Sequence, residues 1–251
     1  MVDSTAGNPH EKIGRGMLTS NFRTVSTFVK YNAKQVFANK FVYFLFAAIA
    51  LFLFIAVISA LEAETPPGAA AIYYFLLAPG TLLIFYPSAY SLQADVDSRM
   101  LETLFGIPNY RYKVWFARSV VQYIAVIMLL FVLAVFSRYA LADFSIPAML
   151  FHLMFPIVFL GSTAFMVSTI TRSGNGAAVV MVVIGLFFWI AAGPLEGSRW
   201  NLFHNPFAQM DQTEMIAWAE TTFYNRIYLL IGSIIVTMYG LLRLQKREKF
   251  M

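Results

Sequence analysis

Five stretches of this chain carry no charged residue: 41–61, 65–94, 119–137, 144–171 and 173–195. A sixth, 227–242, is bracketed by Arg226 and Arg243, whose long stems let the charged heads reach water. A helix needs about 20 predominantly apolar residues to cross a hydrocarbon core of roughly 30 Å. The chain is therefore counted in spans rather than in soluble domains. The expected spans are Phe41–Leu61, Ala70–Leu92, Ser119–Ser137, Ile146–Ile170, Ala177–Gly193 and Tyr224–Leu244. Pro79 and Pro87 fall in the second, where a kinked single helix is expected, because membrane helices tolerate proline. Composition agrees. Hydrophobic residues are 59% and charged residues 12% of the chain, against about 25% charged in a soluble domain. The 25 Phe, 13 Tyr and 4 Trp suit a chain that sits in lipid and anchors at its interfaces.

The net charge of +5 resolves once topology is assigned. With the N-terminus on the cytoplasmic side, 15 of the 18 basic and 6 of the 13 acidic residues fall inside, giving +9 there and −4 outside. The basic balance thus reads as a topology signal, and nucleic acid is not expected as a partner. No cleavable signal peptide is expected, since some 40 mostly polar residues precede a first apolar run long enough to remain as an anchor.

Residues 21–40 carry Phe22, Val25, Phe28, Val29, Ala33 and Val36 at helical spacing, with Arg23, Lys30 and Lys34 on the opposite side. An amphipathic helix lying in the cytoplasmic interface is expected. The loop between the second and third spans contains Asp95, Asp97, Arg99, Met100, Leu101, Glu102, Leu104, Phe105, Gly106, Pro108 and Arg111. Its acids come first, where a helix N-terminus favours them. Met100, Leu101, Leu104 and Phe105 make one stripe, and Gly106 and Pro108 end the helix. Such a stripe needs cover from the bundle or from a partner.

This loop resembles the cytoplasmic loop of type-2 ABC exporter permeases, which reads like E-x-G-T-L-E-x-L-L-x-x-P-x-x-R. Asp97 takes the first acidic place, Leu101 and Glu102 the Leu-Glu, Pro108 the proline and Arg111 the arginine, with Arg118 at a later basic position. Arg99 and Met100 replace the usual Gly-Thr. The tail Arg243–Phe250 resembles the family's basic C-terminus. The resemblance implies one permease domain over 1–251: a tail and interfacial helix at 1–40, a six-span bundle at 41–244 and a tail at 245–251. It implies an all-α integral membrane fold in a bacterial cytoplasmic membrane, with both termini inside and a cytoplasmic coupling helix. It also implies a second permease as partner, held through spans one and five, and ABC ATPase subunits that bind ATP and Mg. Asp97, Arg99, Leu101, Glu102, Leu104, Pro108 and Arg111 would form the ATPase-coupling surface.

This chain has no G-x-x-x-x-G-K-[ST] phosphate loop and no Cys, so neither a nucleotide site of that kind, nor a disulfide, nor a thiolate is expected. Apart from Arg226 and Arg243 at the edges of the sixth, the spans as bounded above hold no Asp, Glu, Lys or Arg. That argues against an ion-coupled carrier and against an intramembrane hydrolase, so the chain itself is not expected to be an enzyme. His152, near the outer end of span four, reads as an interfacial or helix–helix hydrogen bond. His204, with Met210, Asp211 and Met215 nearby, matches no metal-ligand spacing. Gly161, Ser162, Ala164 and Ser168 on span four, and Gly176, Ala177 and Gly185 on span five, permit close helix approach. The segment 194–223 is too apolar for a solvated loop. An outer re-entrant segment is expected there, in the form of short helices if the family pattern holds, with Trp200 and Trp218 in an aromatic belt.

Overall fold

The computed structural model describes residues 41–62, 66–97 and 110–244. They form α1 (Phe41–Glu62), α2 (Ala69–Asp97), α3 (Tyr110–Ala140), α4 (Ile146–Thr171), α5 (Gly174–Ala192) and α6 (Met215–Leu244), with no strand among the described residues. All six are long and apolar enough to cross a membrane. The expected interfacial helix at 21–40, the loop helix and the basic tail lie outside the described residues.

Two boundaries move furthest. α3 starts at Tyr110 and not near Ser119, and so includes Arg111, Lys113 and Arg118. α6 starts at Met215 and not near Tyr224, and so adds Glu220 to the Arg226 already near its expected start. The expectation that no charge lies inside a span is therefore corrected. The uncharged run marks where a helix is most apolar, whereas the helix continues as long as its backbone hydrogen bonds do. At 30 residues α6 is about 45 Å long, more than the hydrocarbon core requires.

Helix α2 runs through Pro79 and Pro87 as one element. Near the second proline, side chains of neighbouring helices bond its backbone. Gln122 Nε2 donates to the Pro87 carbonyl at 3.3 Å and Ser168 Oγ to the Ala89 carbonyl at 2.8 Å. Ser145 precedes α4 as its N-cap residue, and Pro147 lies in the first turn, where proline's fixed φ suits helix entry. The helix ends at Arg172, which takes a left-handed φ of 56° and donates its N–H to the Ser168 carbonyl. Ser173 then caps α5, its side chain accepting from the Gly176 N–H. The Gly174 N–H reaches Gln93 Oε1 at 2.7 Å, which fastens this turn to the far end of α2.

α4 is the hub, packing on α2, α3, α5 and α6, while α1 lies mainly on α2. One large core joins α1, α2, α3 and α4 around Phe52, Ile72, Leu76, Leu130, Leu153 and Ile157. Close approach comes from glycines. A Cβ at Gly161 would stand 2.8 Å from Ile84 and 2.9 Å from the Tyr123 hydroxyl. On α6, Gly232 and Gly240 lie against the rings of Phe159 and Phe165 of α4. α5 is the exception: its outer face exposes Val182, Val183, Phe187, Trp189 and Ile190, and nothing lies within 4 Å of a Cβ built at Gly185.

Between α5 and α6, residues 193–214 form a run of turns. The short helices expected there are absent from these residues, and 215–223 is simply the start of α6. The segment still packs inward, with Leu202, His204 and Asn205 buried. It forms a cap over one end of the bundle.

Candidate functional site

A chain segment without helix or strand has to satisfy its backbone groups in other ways. In the cap, three asparagines do this. Asn201 accepts from the Phe203 N–H and donates to the Ala192 carbonyl. Asn205 accepts from the Phe207 N–H at 2.9 Å and donates to the Ala70 carbonyl at 2.8 Å, tying the cap to the start of α2. Asn225 of α6 donates to the carbonyls of Arg199 and Asn201. Trp218 adds its indole N–H to the Asn205 carbonyl at 3.1 Å.

Beneath this cap lies Arg226, only 5% exposed. Its Nη1 donates to Asn225 Oδ1 at 2.8 Å, and its Nη2 to the His204 carbonyl at 3.1 Å and the Tyr73 hydroxyl at 3.4 Å. Nε donates to His152 Nδ1 at 3.4 Å, and the guanidinium stands 5.7 Å from the centre of the Phe155 ring. One side chain thus joins α2, α4, α6 and the cap. Every one of these partners is neutral, and among the described residues no carboxylate pairs with Arg226. A guanidinium is always charged, and a buried charge without a counter-ion is costly. The expected helix–helix hydrogen bond of His152 is present, and its donor is this arginine.

His204 Nε2 stands 2.7 Å from Thr222 Oγ1, and Thr222 donates its own proton to the Trp218 carbonyl. The imidazole therefore carries its proton on Nε2, which leaves a buried Nδ1 without a partner. Burial, then the charge of Arg226, then His152, lower its pKa to about 4. Its folded pKa thus lies below the ordinary value of 6.5. The stability linked to neutral His204 is complete above about pH 6.5 and declines as the pH falls toward 4, because only the unfolded chain takes up the proton. The melting temperature in neutral detergent is expected to fall between pH 7 and pH 5. His204→Gln, which cannot titrate, is expected to flatten that slope. An unchanged slope in the variant would remove His204 as its source.

Among the described residues no group of three or more His, Asp or Glu could hold a metal ion. Met210 and Met215 line a cavity of about 560 Å³ between α4, the cap and α6, together with His152, Trp218, Thr222 and Arg226.

Of the coupling residues read from the sequence, Asp97 is the last residue of α2 and Arg111 the second of α3. Arg99, Leu101, Glu102, Leu104 and Pro108 lie outside the described residues. Leu92, Trp115, Phe165 and Leu244 share one cluster, so the end of α2 and the start of α3 lie together at the bundle end opposite the cap. Arg118 is buried there, 4.7 Å from the centre of the Trp115 ring. Sequence reasoning missed the Arg226 cluster, for which the local signal was only a charge at the edge of an apolar run. No family model, curated protein or solved structure matches this chain.

Proposed function

We propose that this chain is the membrane-spanning permease subunit of a type-2 ABC exporter in a bacterial cytoplasmic membrane. It works with a second permease and is driven by separate ATPase subunits that bind ATP and Mg. The observation that carries this reading is the pattern Asp97, Leu101-Glu102, Pro108 and Arg111 between the second and third of six apolar helices. Two features support it. The end of α2 and the start of α3 are adjacent at one end of the bundle. The exposed apolar faces of α1 and α5 leave room for a second permease. The charge split of +9 and −4 supports a cytoplasmic loop and cytoplasmic termini.

In this reading residues 98–109 engage a groove on the ATPase. Leu101 and Leu104 supply burial of roughly 1.5–3 kcal/mol each, while Asp97, Arg99, Glu102 and Arg111 set the register. Glu102→Lys is expected to weaken association with the ATPase about tenfold, or to uncouple hydrolysis from transport, while membrane insertion stays intact. Glu62→Lys, at the other end of α1, is expected to change neither. The measurement is co-purification of the ATPase from the host membrane, with ATP hydrolysis in the presence and absence of transported substrate. A Glu102→Lys protein matching the parent in both, across a titration of ATPase, would leave a membrane anchor without a transport role as the better reading.

A further inference from the structure

The cavity at Arg226 does not end there. It shares Phe151, Phe155 and Leu230 with a second, almost wholly apolar cavity of about 450 Å³ that runs along α3, α4 and α6 past Ile127 and Met154. Phe151 is 60% and Leu230 50% exposed, so this groove opens on the side of the bundle that faces lipid. A mostly apolar chamber with one fixed positive charge and the polar atoms of His152 and Thr222 therefore leads directly into an apolar slot.

Three observations fix what fits such a shape. First, Arg226 brings a full charge, and no carboxylate lines the chamber; Asp211, Glu214 and Glu220 are exposed and outside its lining. Second, a guanidinium has five N–H donors, and four acceptors surround this one: His152, Asn225, Tyr73 and the His204 carbonyl. One proton on Nη1 is left for another acceptor. Third, Arg226 stands at the end of the uncharged run 227–242, the depth at which hydrocarbon gives way to headgroups. A combined volume of this order suits an organic ligand, since such sites span roughly 300–1,000 Å³.

We infer that the α4–α6 cleft is a binding site for an anionic phospholipid of the leaflet at the cap end. Its phosphate pairs with Arg226, and an acyl chain lies in the slot beside Phe151, Met154 and Leu230. The lipid supplies the counter-ion that the protein withholds, and the low dielectric around it makes that charge-assisted pairing strong. The site stands on the geometry of this chain alone and holds whether or not the chain is a transporter subunit.

The test uses the purified full chain in micelles of a neutral detergent. Phosphatidylglycerol, phosphatidylcholine of the same acyl chains, and inorganic phosphate are titrated separately, with binding read by native mass spectrometry and by melting temperature. Phosphatidylglycerol is expected to bind about tenfold tighter than phosphatidylcholine, and inorganic phosphate to give no protection. Arg226→Gln is expected to abolish the preference between the two lipids. Leu230→Trp fills the slot from an exposed position, and is expected to weaken phosphatidylglycerol about tenfold while melting with the parent in lipid-free micelles. Equal affinities for the two lipids would overturn the inference, as would a full preference retained by Arg226→Gln or the parent's phosphatidylglycerol affinity retained by Leu230→Trp. Protection by inorganic phosphate equal to that by the lipid would mark a free-anion site and overturn it too. Should Arg226→Gln fail to fold, Leu230→Trp decides.

Discussion

Arg226→Ala is expected to melt roughly 6–12 °C below the parent in neutral detergent. The substitution removes a side chain that bonds α2, α4, α6 and the cap at once. It leaves the His204 carbonyl and Asn225 Oδ1 buried without their donor, each such orphan costing about 1–3 kcal/mol, and the half-buried His152 Nδ1 without its own. Against this, the alanine protein no longer keeps a bare charge out of water, which returns part of the loss. A net cost of roughly 3 kcal/mol remains, and for a chain of this size each kcal/mol moves the midpoint by about 2–4 °C. Arg226→Lys should fall between the two. It keeps the charge, but a compact ammonium cannot serve four acceptors arranged around a planar fork. The cap should also become the first point of protease cleavage in Arg226→Ala, because Asn205 and Trp218 then hold it with less help. An alanine variant that melts with the parent would mean that the asparagine bonds alone fasten the cap.

The residues of that cluster also mark the limit of what the sequence carries. Helix number and order were legible, because a run such as 41–61 has few alternatives to a spanning helix. So was α2 as a single element through Pro79 and Pro87, and so was His152 as a helix–helix contact. The starts of α3 and α6 were not, because both helices run past their apolar stretches into charged residues, and no composition change marks Tyr110 or Met215. Arg226 looked like a surface charge because the local pattern reports only its neighbours in the chain. Its burial depends on Tyr73, 153 positions away, and on a cap whose fold rests on asparagine side chains. Asparagines bonding backbone leave no periodicity to read. The coupling pattern is the reverse case: clear as residues, while Arg99 to Pro108 lie outside the described structure.

Gly161 and Gly185 looked alike in sequence, each a small residue on an apolar helix, and they should behave in opposite ways. Gly161→Leu is expected to cost roughly 3 kcal/mol, the upper end for overpacking a filled core. Its Cβ alone would stand 2.8 Å from Ile84 Cγ1 and 2.9 Å from the Tyr123 hydroxyl. The tyrosine cannot easily give way, since its hydroxyl donates to the Val158 carbonyl at 3.3 Å and also meets Ser162 Oγ. The helices α2, α3 and α4 must then separate, and α4 is the one on which the others pack. Gly161→Ala should show the same direction with a smaller effect. At Gly185 nothing lies within 4 Å of the added Cβ, so Gly185→Leu should leave the melting temperature of the single chain unchanged. If a second permease packs on α5, the same leucine forces the two chains apart, and the dimer fraction falls while the monomer stays folded. Melting temperature separates the two glycines, and cross-linking in native membranes reads the dimer. A Gly161→Leu protein that melts with the parent would show that the contact at Ile84 relaxes at no cost. A Gly185→Leu protein with its full dimer content would take this part of α5 out of the interface and leave its apolar face to lipid.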